Sequence, residues 1–147
     1  MNILQQMEQC LESIRVFNEI AGNLSKPVNY ELEYKMLKSE VLEYYEASIE
    51  GSEVKQKDAV ADIMVVLWGT ILKHGWGSIY FKVLIEVCKS NFTKFPETAD
   101  EAQQTQQKYL SEGINTTLEF NEQYQVYVIK DMDGKVLKPI NFHLPQI

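Results

Sequence analysis

Acidic side chains at helical spacing are the candidate reactive groups of this 147-residue chain. Glu40 and Glu43 lie three positions apart, and Asp58 and Asp62 lie four positions apart. Because residues three or four apart share one face of an α-helix, each pair can present two carboxylates side by side. Carboxylates without histidine or cysteine suit a hard cation, so the two pairs predict a site for Mg²⁺ or Mn²⁺.

The surroundings of Asp62 strengthen this prediction. The segment Ala59–Leu72 contains only two polar side chains, Asp62 and Thr70. A carboxylate buried without a partner is costly, so it is normally paired, hydrogen-bonded or bound to a metal. We therefore expect Asp62 to be buried and to share a ligand with Asp58, one helical turn earlier.

Each acid also has a simpler explanation. Glutamates such as Glu40 and Glu43 are common on solvated helix faces, Asp62 could pair with a lysine, and Asp58 could be a charge near a helix N-terminus. Two such pairs on consecutive helices favour a shared metal site.

A di-iron site would need Glu-x-x-His pairs, which the sequence lacks. We interpret His74 as a residue that ends a helix.

Three amphipathic or apolar segments are predicted to form the helices that carry these acids or pack beside them. Apolar residues recur every three or four positions from Ile3 to Ala21, which predicts a helix ended by Gly22. Asn29 can cap a second helix that reaches about residue 50. The third helix, about 54–73, is apolar almost all round, so we predict that it is the buried centre of the fold.

The remainder of the chain predicts shorter elements. A fourth helix covers about residues 78–91, and the capping pattern Thr98–Glu101 opens a short polar helix to about residue 110. Tyr124–Lys130 and Lys135–Leu137 flank the turn dipeptide Asp133-Gly134, which predicts a β-hairpin. The fold class is thus all-α, a four- to five-helix bundle with a small C-terminal β-hairpin. As one domain, it divides into a helical core (1–95), an insertion (96–123), and a hairpin and tail (124–147).

Composition excludes several classes of function. The net charge is −7 and Arg15 is the only arginine, so the chain is a poor candidate for nucleic-acid binding. No apolar run of about 18 residues predicts a membrane span, and the first ten residues lack the pattern of a signal peptide. We predict a cytoplasmic protein in which Cys10 and Cys88 are buried free thiols.

Ser90–Lys94 forms a second polar cluster, at the end of the fourth helix. Its amide, hydroxyl and ammonium groups could hold a phosphate, in which Lys94 acts as a point charge. An ordinary helix C-terminus is the alternative explanation.

Taken in order, these motifs resemble those of the all-α nucleoside triphosphate pyrophosphohydrolases. That superfamily includes MazG, the dimeric dUTPases and phosphoribosyl-ATP pyrophosphohydrolase, and the likeness is greatest to single-domain MazG-like proteins of phages and bacteria. The segments that carry the resemblance are Ile14–Phe17, Ser39–Ala47, Asp58–Gly69, Glu86–Lys94, Asp133–Pro139 and Phe142–Pro145. The resemblance implies a Mg²⁺-dependent hydrolase that converts a nucleoside triphosphate to the monophosphate and pyrophosphate, as a homodimer or homotetramer.

The resemblance also implies roles for individual residues. The implied metal ligands are Glu40, Glu43 and Asp62, and the spacing adds Asp58, one helical turn before Asp62, as a fourth. Glu43 and Asp58 are in addition the candidate proton acceptors. The implied substrate contacts are Asn91, Lys94, Lys135 and Lys138.

The chain departs from the family pattern at two positions. The residue three before Asp62 is Ala59 instead of an acid, so Asp58 would substitute from one position earlier. The residue before Glu40 is Ser39 instead of a glutamate. Two other functions stay open: hydrolysis of phosphoribosyl-ATP, which uses the same site chemistry, and a non-enzymatic helical interaction module.

Overall fold

The computed structural model of the protein describes residues 1–147. Five helices precede a two-stranded antiparallel sheet, which confirms the predicted helical fold with a C-terminal β-hairpin. The elements are α1 (Ile3–Ile20), α2 (Tyr30–Glu50), α3 (Glu53–Lys73), α4 (Tyr80–Phe92), α5 (Ala99–Ser111), β1 (Thr116–Asn121) and β2 (Val126–Asp131). The chain forms two compact units, residues 1–80 and residues 81–147.

None of the helices is both long and apolar enough to cross a membrane. The cytoplasmic location stays a prediction.

A tight turn in the first unit joins α2 to α3 and makes the two helices antiparallel. Asn29 caps α2 as predicted, by accepting a hydrogen bond from the Leu32 backbone N–H at 3.0 Å. Gly51 ends α2 in the left-handed conformation, at φ 75°, which is costly for a residue with a Cβ atom. Ser52 then caps α3 at once, so the chain reverses within two residues.

Contacts at both ends fix the register of α2 against α3. Near the turn, the Gln56 side chain donates a hydrogen bond to the Ala47 carbonyl oxygen at 3.3 Å. At the far end, Glu33 at the start of α2 lies 3.0 Å from the ammonium of Lys73 at the end of α3. With both ends matched, the middle of α2, which carries Glu40, faces the middle of α3.

The prediction that α3 is the buried centre of the fold is wrong. Only Ala59, Gly69 and Ile71 of this helix are buried, whereas Met64 is 60% exposed. The helix packs against α2 and α1, and these two neighbours leave part of its apolar surface uncovered.

The two cysteines are free, as predicted, but neither is buried. Cys10 on α1 and Cys88 on α4 are both exposed. Both cysteines lie on helices, as their spacing predicts, but no other part of the chain covers them.

The second unit is built around α5 and the hairpin. Thr98 caps α5 as predicted, and Ile129 of β2 and Thr105 of α5 are fully buried. The hairpin pairs β1 with β2 in the register Thr116↔Asp131 to Asn121↔Val126. Residues 126–131 therefore pair with a strand that lies in the segment predicted to be an insertion.

The predicted first and second strands of the hairpin need correction. Residues 126–131 do form a strand, but its partner is β1, which lies in the segment 96–123. The predicted partner, Lys135–Leu137, contributes only an isolated bridge between Lys130 and Val136. Asp133-Gly134 does turn, with Gly134 at φ 87°, but only three residues follow before Lys138-Pro139, and proline offers no N–H group to extend a ladder.

Candidate functional site

Glu40 is the centre of the predicted carboxylate cluster. It is half-buried on α2, and burial raises the pKa of its carboxyl above the ordinary value. The negative charges of Glu43, Asp62 and Asp58 raise this pKa further. All three other predicted metal ligands thus lie close enough to act on Glu40. The four acids that the sequence analysis paired across two helices are electrostatic neighbours in the structure.

The expectation that Asp62 is buried is wrong, because its side chain is exposed, as are those of Asp58 and Glu43. The apolar residues that flank Asp62 in the sequence point in several directions around α3, and several of them are themselves exposed. Within the cluster, only Glu40 is substantially removed from water. The desolvation that the sequence analysis assigned to Asp62 therefore acts on Glu40 instead.

None of the four carboxylates forms an ion pair within the chain. The two lysines in the first turns of α3 pair elsewhere, Lys55 with Glu50 at 2.8 Å and Lys57 with Glu53 at 2.6 Å. The like charges around Glu40 are therefore left without a cation from the protein. Four carboxylates with no protein counter-charge form a donor set that suits a hard divalent cation.

The cluster is not a preassembled cage. No group of three or more histidine, cysteine, aspartate and glutamate side chains is arranged to hold a metal ion. Glu43, Asp58 and Asp62 are exposed, so their side chains can turn toward Glu40 with little to displace. The chemistry of the donor set fits Mg²⁺, and its coordination would require these side chains to reorient.

The predicted substrate contacts Asn91 and Lys94 lie where α4 ends, in the second unit. Backbone hydrogen bonds close tight turns there, from Lys94 N–H to the Asn91 carbonyl at 3.2 Å and from Thr93 N–H to the Ser90 carbonyl at 3.1 Å. Asn91 is exposed and Lys94 is half-buried. Ser90, in contrast, is buried and donates a hydrogen bond to the His143 carbonyl at 2.7 Å, which makes it a structural residue.

Lys135 and Lys138 lie in the segment that follows β2, also in the second unit, and both are exposed. The Lys135 backbone N–H donates to the Asp131 carboxylate at 2.9 Å, which holds the turn in place. The Lys138 ammonium lies 4.6 Å from the centre of the Phe142 ring, a cation–π distance. The Tyr109 hydroxyl also donates to the Lys138 carbonyl at 2.9 Å, so a hydrogen bond holds the backbone of each lysine.

The sequence analysis missed a cluster of charged residues at the open end of the α2–α3 pair. Glu33 lies 3.0 Å from the Lys73 ammonium and 3.1 Å from Nε2 of His74, and the Glu33 side chain is only 11% exposed. His74 ends α3, as predicted, and also stacks on Trp76 with ring centres 4.3 Å apart. The sequence does contain a signal for this cluster. If α2 and α3 are antiparallel, the acid Glu33 at the start of α2 must lie near the base Lys73 at the end of α3.

Comparison with known proteins adds no relative. No family model, no curated protein and no solved structure matches this chain. The resemblance to the all-α pyrophosphohydrolases therefore depends on the order and spacing of the motifs in this sequence. Any function assigned to the carboxylates around Glu40 therefore rests on their positions and charges in this structure.

Proposed function

We propose that the protein is a Mg²⁺-dependent hydrolase that cleaves a nucleoside or deoxynucleoside triphosphate to the monophosphate and pyrophosphate. The observation that carries the proposal is the cluster around Glu40, in which the negative charges of Glu43, Asp62 and Asp58 act on Glu40 and none of the four acids forms an ion pair with a lysine or arginine. Such a cluster destabilises the chain when no cation is bound, which argues for a functional role. A triphosphate is a polyanion, and an acidic site can bind one only together with a cation.

In this proposal Glu40, Glu43, Asp58 and Asp62 hold the metal ion. When bound, Mg²⁺ supplies the positive charge that attracts the phosphates and lowers the pKa of a water molecule. Glu43 or Asp58, which are exposed and free of ion pairs, accepts the proton of the attacking water. The water oxygen forms a bond to the α-phosphorus as the bond to the β-phosphate bridging oxygen breaks, and pyrophosphate leaves.

Four residues that the family resemblance implies, Asn91, Lys94, Lys135 and Lys138, are the proposed phosphate contacts. Asn91 offers an exposed amide, and Lys94 offers an ammonium group that forms no ion pair within the chain. Lys135 and Lys138 are exposed cations on a segment whose backbone is held by hydrogen bonds. Positive charge placed where negative charge develops stabilises a departing pyrophosphate.

Release of pyrophosphate from a panel of all common ribo- and deoxynucleoside triphosphates tests the proposal, with Mg²⁺ and with EDTA. We expect metal-dependent release from one or a few of them, and loss of at least about 100-fold in rate for Glu43→Gln. Glu46→Gln is the matched control, because Glu46 is exposed on the same helix and does not act on Glu40. Wild-type turnover by Glu43→Gln would contradict the assignment, as would release that EDTA leaves unchanged.

Phosphoribosyl-ATP belongs in the same panel. Its hydrolysis requires the same metal and the same attack on an α-phosphorus, so the carboxylate cluster does not distinguish the two substrates. Release from phosphoribosyl-ATP alone would keep the mechanism and change the substrate.

A second candidate function, a helical interaction module, is favoured by exposed apolar side chains in the first unit. Phe17 is 62% exposed, Ile20 is 83% exposed and Met64 is 60% exposed. Where exposed apolar side chains such as these are contiguous, they mark a surface that another protein covers. A homodimer or homotetramer would cover it equally, and light scattering of the purified chain distinguishes a monomer from either assembly. A monomer that releases no pyrophosphate would favour the interaction module.

A further inference from the structure

A cavity of about 280 Å³ opens between α1, the turn that follows it, α2 and α3. Its volume is close to the lower end of the range for small-molecule sites, roughly 300 Å³, so it suits one heterocycle and excludes a whole triphosphate. Part of its wall is apolar, and includes Phe17, Leu32, Met36, Val65 and Val66.

Two asparagines add polar groups to this wall. Asn18 is only 5% exposed, and its amide nitrogen donates to the Ile14 carbonyl at 2.9 Å. Its amide oxygen accepts a hydrogen bond from the Asn23 amide nitrogen at 3.1 Å. These two bonds fix the orientation of both amides. They leave one N–H donor on Asn18 and the oxygen acceptor of Asn23 without a partner in the chain.

Gly69 makes room for the Asn18 amide. A Cβ atom at position 69 would lie 3.3 Å from the Asn18 amide nitrogen and 3.5 Å from its oxygen. Glycine in a helix interior is destabilising relative to alanine, so α3 loses stability at the position that accommodates this polar group. Position 18 thus keeps a buried polar side chain, and position 69 a glycine, where packing alone would favour an apolar residue and alanine.

The cavity lies one helical turn from the carboxylate cluster on both helices of the pair. On α2, Met36 lines the cavity and Glu40 follows four residues later. On α3, Asp62 precedes the cavity residue Val66 by four residues. At 1.5 Å per residue, four residues correspond to about 6 Å along each axis. A substrate whose phosphates lie at the carboxylates can therefore place its base in the cavity.

We propose that this cavity binds the nucleobase of the substrate, and that Asn18 and Asn23 determine which base is accepted. A donor beside an acceptor, within an apolar wall, matches the hydrogen-bonding edge of a nucleobase and the two faces of its ring. Of the charged residues that line the cavity, Glu33 and Lys73 neutralise each other as an ion pair, and Lys26, which forms no ion pair within the chain, leaves a single positive charge. The choice of a nucleobase as the occupant rests on the proposed function.

Isothermal titration with free nucleosides in EDTA tests the cavity without metal and without hydrolysis. The probes are adenosine, guanosine, cytidine, uridine and thymidine, each added to the full chain. We expect at least one to bind, Asn23→Ala to weaken its binding about tenfold, and Gly69→Leu, which fills the cavity, to abolish it. Asn115→Ala, an exposed asparagine outside the first unit, is the matched control and should bind as the wild type does.

Circular dichroism of each variant shows whether it is folded, and if Gly69→Leu is not, Asn23→Ala decides the matter alone. Failure of all five nucleosides to bind at millimolar concentration overturns the proposal, as does binding that Asn23→Ala leaves unchanged. Nucleoside binding that depends on Asn23, together with no pyrophosphate release from any triphosphate, would overturn the proposed hydrolase and support the base site. Release of pyrophosphate with the same substrate ranking in wild type and Asn23→Ala would overturn the base site alone.

Discussion

The carboxylate of Glu33, in the first turn of α2, lies 3.0 Å from the ammonium nitrogen of Lys73, the last residue of α3. Its other oxygen lies 3.1 Å from Nε2 of His74, and all three side chains are less than one-fifth exposed. These contacts close the α2–α3 pair at the end opposite the Gly51 turn. They therefore hold the register that brings Glu40 within reach of Asp62.

Replacement of Glu33 by glutamine should destabilise the first unit, because the mostly buried Lys73 ammonium would lose its counter-charge. We expect a loss of about 2 kcal/mol in the free energy of unfolding at pH 7, measured with urea. Glu31→Gln is the matched control, since its ion pair with Lys35 is exposed and should contribute less than about 0.5 kcal/mol. Equal losses in the two variants would contradict the interpretation.

The contribution of Glu33 should disappear in acid. Burial by itself would raise the pKa of this carboxyl, but contacts with Lys73 and His74 outweigh burial and lower the pKa below the ordinary value. A lowered pKa means that the stabilisation is fully present above the pKa of the unfolded chain and is lost as pH falls through the folded pKa. Melting temperatures from pH 7 to pH 3 should therefore converge for the wild type and Glu33→Gln. A constant difference across this range would contradict the prediction.

Glu40→Gln should have the opposite effect on stability. Burial, with Glu43, Asp62 and Asp58, raises the pKa of Glu40, so the folded chain binds a proton more tightly than the unfolded chain does. Stability is then lost as pH rises through that raised pKa. In EDTA at pH 7 we expect Glu40→Gln to melt about 2 °C higher than the wild type and to lose pyrophosphate release. A variant that melts lower would show that Glu40 is a structural residue.

Mg²⁺ should stabilise the wild type through the carboxylate cluster. A ligand at about 100 times its dissociation constant adds about 2.7 kcal/mol to the free energy of unfolding. We expect a rise in melting temperature with Mg²⁺ that EDTA reverses, and none in the double variant Asp58→Asn and Asp62→Asn. The control is Glu53→Gln, an exposed acid on the same helix, which should retain the full response. An equal response in the double variant would place the ion elsewhere.

Thr105 should matter for the second unit although no catalytic role is assigned to it. The side chain is fully buried, donates to the Glu101 carbonyl at 2.8 Å and accepts from the Ile140 backbone N–H at 3.2 Å. Thr105→Val keeps the shape but leaves that N–H without a partner, at a cost of about 1–2 kcal/mol. Urea unfolding measures the loss. Thr117→Val, on an exposed position of β1, should change stability by less than about 0.5 kcal/mol.

The helices were predictable from the sequence because the signals that begin and end them are local. Asn29, Ser52 and Thr98 cap the backbone N–H groups a few residues after them, and Gly51 adopts the left-handed conformation that ends α2. The spacing of Glu40 with Glu43 and of Asp58 with Asp62 follows from the helical repeat alone. The sequence alone therefore predicts which acids share a helix face, without any knowledge of how the helices pack.

How distant segments pack against one another sets which of these groups lie in water and which partners they contact. Asp62 was expected to be buried on the strength of its apolar neighbours in the sequence, yet it is exposed, and Glu40 is the member of the cluster that burial affects. The partner of β2 is β1 instead of the nearer Lys135–Leu137 segment. Burial and strand pairing depend on which faces of distant segments meet, and the periodicity of one segment contains no information about the surface that covers it.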